Sequence, residues 1–332
     1  MQELQVGPNE AGQRMDKYVK KLLRNAPVSL LYKQLRNKNI TLNGKKASGS
    51  ECLKQGDAIQ CFFSQETFDS FSASYAVNDK TKEYEEAYKK WQDVKILYED
   101  DNFIFLNKPV GMLSQKASPS DLSLNEWMIG WLLFSGSLKE SDLRTFCPSV
   151  ANRLDRNTSG IVLCGKSLAG LQALSRLLRE RTIQKHYLTI CHGILDEDRT
   201  IDGYLKKDEK SNRVQISKSP LQGADRIITK YHPLKTSDGL TLLSVDLVTG
   251  KSHQIRAHLS SIGHPILGDS KYGKPELVKK DLDWLKLKHQ LLHAQEVVFP
   301  DFHEKPMEAL SGLRIQADLP EQFEKIMNHL FP

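Results

Sequence analysis

The chain has 332 residues, 39% hydrophobic and 27% charged, with a net charge of +6. That suits a water-soluble protein with room for about two domains. It leaves no place for a signal peptide at Met1-Gln2-Glu3-Leu4-Gln5 or for a bilayer span, since the longest apolar run lies near residues 127–134. Five cysteines, odd in number and without a CxxC pair, point to reduced thiols in a cytoplasm and away from disulfides or structural zinc.

The charge is uneven. Residues 1–64 hold eleven Lys and Arg against five Asp and Glu, a net of +6 that equals the charge of the whole chain. A basic head on a neutral body points to a polyanion held by the head. Within it, Met15, Tyr18, Val19, Leu22 and Leu23 recur at helical spacing opposite Arg14, Lys17, Lys20, Lys21 and Arg24. Pro27 ends that helix, and a second is expected over 29–38 with Ser29 as its cap. Ile40-Thr41-Leu42 then enters an Asn43-Gly44 hairpin turn, and 58–63 closes the unit as a strand.

Residues 65–92 change character, first Ser- and Phe-rich, then highly charged, and read as a linker. From residue 94 the period-2 pattern of strands returns at 94–98 and 103–106, followed by a Pro109-Val110-Gly111 turn. A helix is expected over 122–134, a buried strand at 161–164, a helix over 168–179 and a strand at 185–190. Later strands fall at 227–231, 242–247 and 297–299. Strands and helices mix without a βαβ repeat, so the body, 93–332, is expected to be α+β around a mixed, largely antiparallel sheet.

The stretch Arg153-Leu154-Asp155-Arg156-Asn157-Thr158-Ser159-Gly160 sets one carboxylate between two guanidinium groups ahead of a turn. Near two cations such a carboxylate stays ionised and can act as a nucleophile; alone, the stretch reads as well as a surface turn. Competing motifs fail. Gly250-Lys251-Ser252 lacks the phosphate-loop glycine five places earlier, where Val245 stands. His253, His258 and His264 have no HExxH spacing and suggest packing or polar contacts, with no metal. No Gly-x-Ser-x-Gly elbow occurs.

Several blocks in order carry a resemblance. They are Asn107-Lys108-Pro109-Val110-Gly111, Arg153 to Gly160, Lys185-His186-Tyr187 and Thr249-Gly250-Lys251-Ser252-His253-Gln254-Ile255-Arg256. Gly263-His264-Pro265-Ile266, Gly268-Asp269, Lys271-Tyr272-Gly273 and Leu292-His293-Ala294 follow. Together they resemble the RluA-type pseudouridine synthases, most of all the large-subunit rRNA enzymes. The head resembles the S-four-like RNA-binding domain, named after a ribosomal small-subunit protein. Asn152 departs from the pattern, standing where His usually precedes the Arg-Leu-Asp-Arg core.

The resemblance implies isomerisation of uridine in structured RNA, with no redox cofactor, nucleotide or metal, by a cytoplasmic monomer without membrane attachment. It implies Asp155 as the essential carboxylate, Tyr187 against a flipped uracil, and Arg256 as the partner of Asp155. Arg153 is implied to brace the vacated stack, with Arg156 beside it on the RNA. Lys33, Arg36, Lys38, Lys45 and Lys46 are the expected phosphate contacts. A tRNA target, or a non-catalytic RNA-binding assembly factor, is the alternative.

Overall fold

The computed structural model describes residues 1–72, 77–208 and 213–332. The N-terminal unit comprises β1 (Gln2–Gln5), α1 (Met15–Leu22), α2 (Val28–Arg36), β2 (Ile40–Leu42), β3 (Lys45–Lys46) and β4 (Ala58–Cys61), with sheet order β1-β4-β2-β3. Met15, Tyr18, Val19 and Leu22 of α1 pack on Leu31, Leu35, Ile40 and Ile59, one apolar stripe closing a small core. Asn43 and Gly44 take φ of 51° and 72°, so the two-residue turn matches the twist of the strands it joins and Leu42 pairs Lys45. Pro27, not Ser29, occupies the cap of α2; its fixed φ starts the helix two residues earlier than expected.

The expected linker is largely helical. α3 (Gln65–Ser72) is followed by α4 (Val77–Lys90), and Tyr84 and Ala87 of α4 are buried in the core of the body. The charged composition of this stretch hides a stripe, Tyr84, Ala87, Tyr88 and Trp91, at helical spacing.

The body continues with β5 (Lys95–Glu99), β6 (Phe103–Lys108), α5 (Leu124–Phe134), β7 (Ser149–Val150), β8 (Ser159–Gly165), α6 (Leu168–Glu180) and β9 (Gln184–His192). Then come β10 (Arg199–Asp208), β11 (Arg213–Ser217), β12 (Asp225–Ser237), β13 (Leu240–Leu247) and α7 (Gln254–Ser261). α8 (Pro275–Leu285), β14 (Leu292–Val298), β15 (Arg314–Gln316) and α9 (Glu321–Leu330) complete it. A capping box of Ser123 and Glu126 fixes the start of α5.

One sheet runs β11-β10-β12-β13-β9-β14-β8-β6-β5, with β15 on β14 and β7 on β8. Every pairing is antiparallel except β8 with β14, so the fold is α+β with a mixed sheet. β10 escaped the sequence because its residues are mostly polar, and β11 because its alternation of Val214 and Ile216 with polar neighbours spans only five residues. The strand period sorts the core into two layers. Ile104, Leu106, Val162, Cys164, Tyr187, Leu243 and Val245 face α4, α5 and α7. Phe103, Phe105, Ile161 and Leu163 face α6, while Leu188, Ile190, Leu240 and Leu242 face α9. Burial on both faces is why Ile161 to Cys164 reads as an unbroken apolar run.

This sheet places the site through one lateral row. Lys108 pairs with Gly160, Gly160 with Ala294, Ala294 with Tyr187, and Tyr187 with Val245. Gly160 has φ of 110°, and a Cβ there would lie 2.2 Å from the Ala294 carbonyl oxygen. Only glycine lets β8 come this close to β14 directly after the Asp155 turn. Among the described residues no helix is long and apolar enough to cross a membrane.

Candidate active site

Asp155 lies in the turn before β8, and both of its neighbours are clamped. Ser114 Oγ accepts from the Leu154 N–H and donates to the Leu154 carbonyl, each at 3.0 Å. On the other side the Arg156 carbonyl accepts from Lys108 Nζ at 3.1 Å and from the Gly111 N–H at 2.9 Å. The Asp155 carbonyl accepts from the Thr158 N–H at 3.0 Å, closing the turn.

Lys108 is fully buried, and its ammonium also donates to the carbonyls of Pro109 (3.0 Å) and Met112 (2.9 Å). Burial pulls its pKa down to about 7, while nearby Asp155 acts the other way. Three carbonyl acceptors match the three donors of the ammonium and also favour the charged form.

The guanidinium groups adjacent to Asp155 in sequence do not hold it. Arg153 and Arg156 are exposed, and neither forms an ion pair with Asp155. The partner is Arg256 of α7, whose Nη1 donates to Asp155 Oδ2 at 2.9 Å. Arg256 is itself held by Asp269: Nε donates to Oδ2 at 2.8 Å and Nη2 to Oδ1 at 2.9 Å. Such a fork fixes the plane of the guanidinium and aims its remaining edge at Asp155.

Asp269 is fully buried, which alone raises its pKa. Hydrogen bonds from Arg256 and from the N–H groups of Tyr272 and Lys271 hold it below the usual carboxylate range. Asp155, by contrast, keeps a side-chain exposure of 23%, so it is the end of this chain of charges that a ligand can reach.

Tyr187 sits on β9 in the lateral row, 7% exposed. Two strand spacings, about 10 Å, separate it from Gly160. Burial pushes its pKa up and Asp155 pushes it further, so the side chain is a neutral phenol. Its hydroxyl has no hydrogen-bond partner among the described residues. A phenol near a partly exposed, Arg-paired carboxylate offers an aromatic face and a proton-transfer group in one place.

The structure thus brings Asp155, Tyr187 and Arg256 together. It sets Arg153 and Arg156 on the surface around them, and Lys33, Arg36, Lys38, Lys45 and Lys46 are all exposed on the N-terminal unit. Arg36 and Lys46 line one groove there of about 690 Å³, with Tyr32 and Ser48. Sequence reasoning gave no role to Lys108, Asp269 or Tyr272, although each stood in a quoted block. His253, considered there only against a metal site, lies with Nε2 3.8 Å from Asp155 Oδ1. Asn152 accepts from the Leu163 N–H at 2.7 Å and so braces β8.

The RNA pseudouridylate synthase family model matches residues 102–261. Ribosomal large subunit pseudouridine synthase C of Buchnera aphidicola subsp. Baizongia pistaciae is 30% identical across 98% of this chain and 96% of that protein. The protein of the same description from Haemophilus influenzae is 30% identical across 98% of this chain and 94% of its own. Ribosomal large subunit pseudouridine synthase D of Nitrosomonas europaea is 28% identical, covering 89% of this chain and 79% of that one. Among solved structures, Human RNA Pseudouridylate Synthase Domain Containing 4 matches with a TM-score of 0.58 at 20% identity, over 76% of this chain and 97% of that chain, a likeness of fold. With the charged turn, the lateral row and these relatives in agreement, the chain belongs to the RluA-type RNA pseudouridine synthases, enzymes that isomerise uridine in RNA.

Proposed function

We propose that the chain acts on uridines of large-subunit ribosomal RNA, with Asp155 as the essential carboxylate. The observation that carries the assignment is the Asp155–Arg256–Asp269 chain, in which two buried charges fix a third that is open to a ligand. The isomerisation breaks the bond from uracil N1 to the sugar and makes one from C5, and the C5 proton is replaced by one on N1. Nothing is gained or lost, so the chain's own groups suffice: a carboxylate to engage the nucleotide and a neighbour to carry a proton. The target base must leave its stack to meet Asp155. Tyr187 then takes the uracil against its ring, Arg256 keeps the carboxylate oriented, and exposed Arg153 and Arg156 brace the RNA.

Residues 1–64 serve as the RNA-binding unit and 93–332 as the catalytic one. Lys33, Arg36, Lys38, Lys45 and Lys46 contact phosphates. The chain acts as a monomer in this reading, and five free thiols support a cytoplasmic setting. The relatives described as large-subunit enzymes support rRNA over tRNA.

The test is pseudouridine mapping of total RNA from cells with and without the gene, complemented by wild type or Asp155→Ala. Loss of specific rRNA sites, restored by wild type only, is expected. Restoration by Asp155→Ala would refute the role of Asp155, and loss confined to tRNA would refute the rRNA target.

A further inference from the structure

We propose that His253 is a positioning residue for the isomerisation, its Nε2–H steering Oδ1 of Asp155, the carboxylate oxygen that Arg256 leaves free. The proposal rests on Asp155 being the essential carboxylate. The geometry fixes which nitrogen carries the proton. The hydroxyl of Tyr272 accepts from the Val214 N–H at 3.1 Å and lies 2.9 Å from His253 Nδ1. The hydroxyl also has its own proton to place, and Nδ1 is the acceptor within reach of it. A neutral His253 then carries its hydrogen on Nε2, toward Oδ1 at 3.8 Å. The other tautomer would aim a bare lone pair at a carboxylate, so both arguments select the same form.

The backbone is a second, independent observation. His253 stands at the cap of α7 with φ of 56° and ψ of 15°, left-handed values that disfavour a residue with a β-carbon. Its side chain makes no capping hydrogen bond, so capping does not explain a histidine there. What the left-handed turn achieves is to project the ring between Tyr272 and Asp155, which it meets from the side opposite α7's own Arg256 contact to Oδ2. A gap of 3.8 Å tightens to a hydrogen bond by a shift of about 1 Å, as sites without ligand commonly do on binding.

Protonation at Nδ1 would remove the acceptor of the Tyr272 hydroxyl and leave a charged donor at Asp155. The groups facing the imidazole are Asp155, Arg256, Lys271, Asp269 and Tyr272. Burial, Arg256 and Lys271 disfavour the cation, while Asp155 and Asp269 favour it, and the balance lies below the ordinary imidazole range. An imidazolium would put a second cation on Asp155 and slow the reaction, so the rate should fall on the acid side.

The experiment measures single-turnover pseudouridine formation, with its pH profile, in total RNA from cells lacking the gene. Asparagine tolerates the left-handed backbone, so His253→Asn keeps the fold, but its amide is too short to reach Oδ1. It is expected to retain RNA affinity and a melting temperature at or above wild type, and to lose roughly 10- to 100-fold in rate. His253→Gln sets an amide N–H near the Nε2 position; it should recover most of the rate and abolish the acid limb that His253 imposes. Wild-type rate in His253→Asn, or a glutamine variant no faster than asparagine with the limb intact, overturns the proposal. Asp155→Asn is run alongside. If it still turns over, the assignment of Asp155 fails; if it is dead while His253→Asn is unaffected, only the role of His253 fails.

Discussion

The N-terminal unit and the body both carry many charges, and they handle them in opposite ways. In the head, Lys33, Arg36, Lys38, Lys45 and Lys46 stand exposed on α2, on the loop after it and on the hairpin that follows. Its ion pairs, Arg14 with Asp16 and Lys20 with Asp16, share one buried carboxylate, but both cations still reach solvent. In the body, Arg256 and Asp269 are buried and locked by two hydrogen bonds. Exposed cations can meet any polyanion and are screened by salt. Buried, forked charges point one way and cannot relax, as chemistry at a single atom requires.

The largest expected effect tests that contrast directly. Arg256→Met strands fully buried Asp269 with only the N–H groups of Lys271 and Tyr272. Removing one partner of a buried pair costs about 3–5 kcal/mol, so a marked drop in melting temperature is expected together with loss of activity. Asp155→Ala at the exposed end should abolish product, by roughly 10³-fold or more, while leaving the melting temperature near wild type. Equal stability losses in the two variants would erase the distinction between the buried and the open end of the chain.

Gly160→Ala comes next. The added methyl meets the Ala294 carbonyl oxygen at 2.2 Å, on a backbone with φ of 110°. β8 and β14 must separate or unpair, at a cost on the order of 3 kcal/mol, and the lateral row from Lys108 to Tyr187 is disturbed. Calorimetry checks the stability, and single-turnover kinetics the row. A variant that melts like wild type would mean the close approach is not needed.

A smaller effect concerns acid. Burial pulls His258 and His293 down to about 4, and both are fully buried. His293 accepts from or donates to Ser159 Oγ at Nδ1 (2.8 Å) and meets the Ala317 carbonyl at Nε2 (3.2 Å). The unfolded chain takes up these protons near the ordinary imidazole value and the folded one only near 4. Their contribution to stability is therefore complete above pH about 6.5 and is lost as pH falls toward 4, on the order of 1–3 kcal/mol each. Melting temperatures from pH 7.5 to 4.5 should fall, and His258→Asn should flatten the decline. The buried carboxylate Asp269 titrates below this window, so it does not confuse the reading.

How far the sequence reached follows the same physics. Elements with an apolar stripe, such as α1 and α6, and those with a near-continuous apolar run, such as α5 and β8, were legible, because one face or two must be apolar. β10 is mostly polar and β11 alternates over only five residues, and neither was legible. The stripe in α4 was masked by the charges around it. At the site, Asp155, Tyr187 and Arg256 stood in ordered blocks, and the pairing of Asp155 with Arg256 followed from the resemblance, while the bond from Arg256 to Asp269 did not. Local reading of the charged turn offered Arg153 and Arg156 beside Asp155, yet the turn sends both to solvent, and the bond comes, as the resemblance implied, from a helix 101 residues on. Lys108 looks like any surface lysine until the fold closes three carbonyls around it.

The smallest single effects are expected in the head, where their pattern matters more than their size. Lys33 is exposed, so Lys33→Gln should move stability by less than about 0.5 kcal/mol. It should weaken RNA binding only a few-fold, because one phosphate contact among several is lost. Changing Lys33, Arg36, Lys38, Lys45 and Lys46 together to Gln should leave the melting temperature in place. The dependence of log affinity on log salt should flatten, by about 0.7–0.9 for each phosphate contact removed. The rate from bound RNA should not change, since the chain of charges from Asp269 to Asp155 contains none of these residues. A salt slope that stays put would show that the basic surface faces solvent in the complex as well. A fall in the bound-state rate would show that the head does more than hold the RNA, and the division of labour between exposed and buried charge would have to be redrawn.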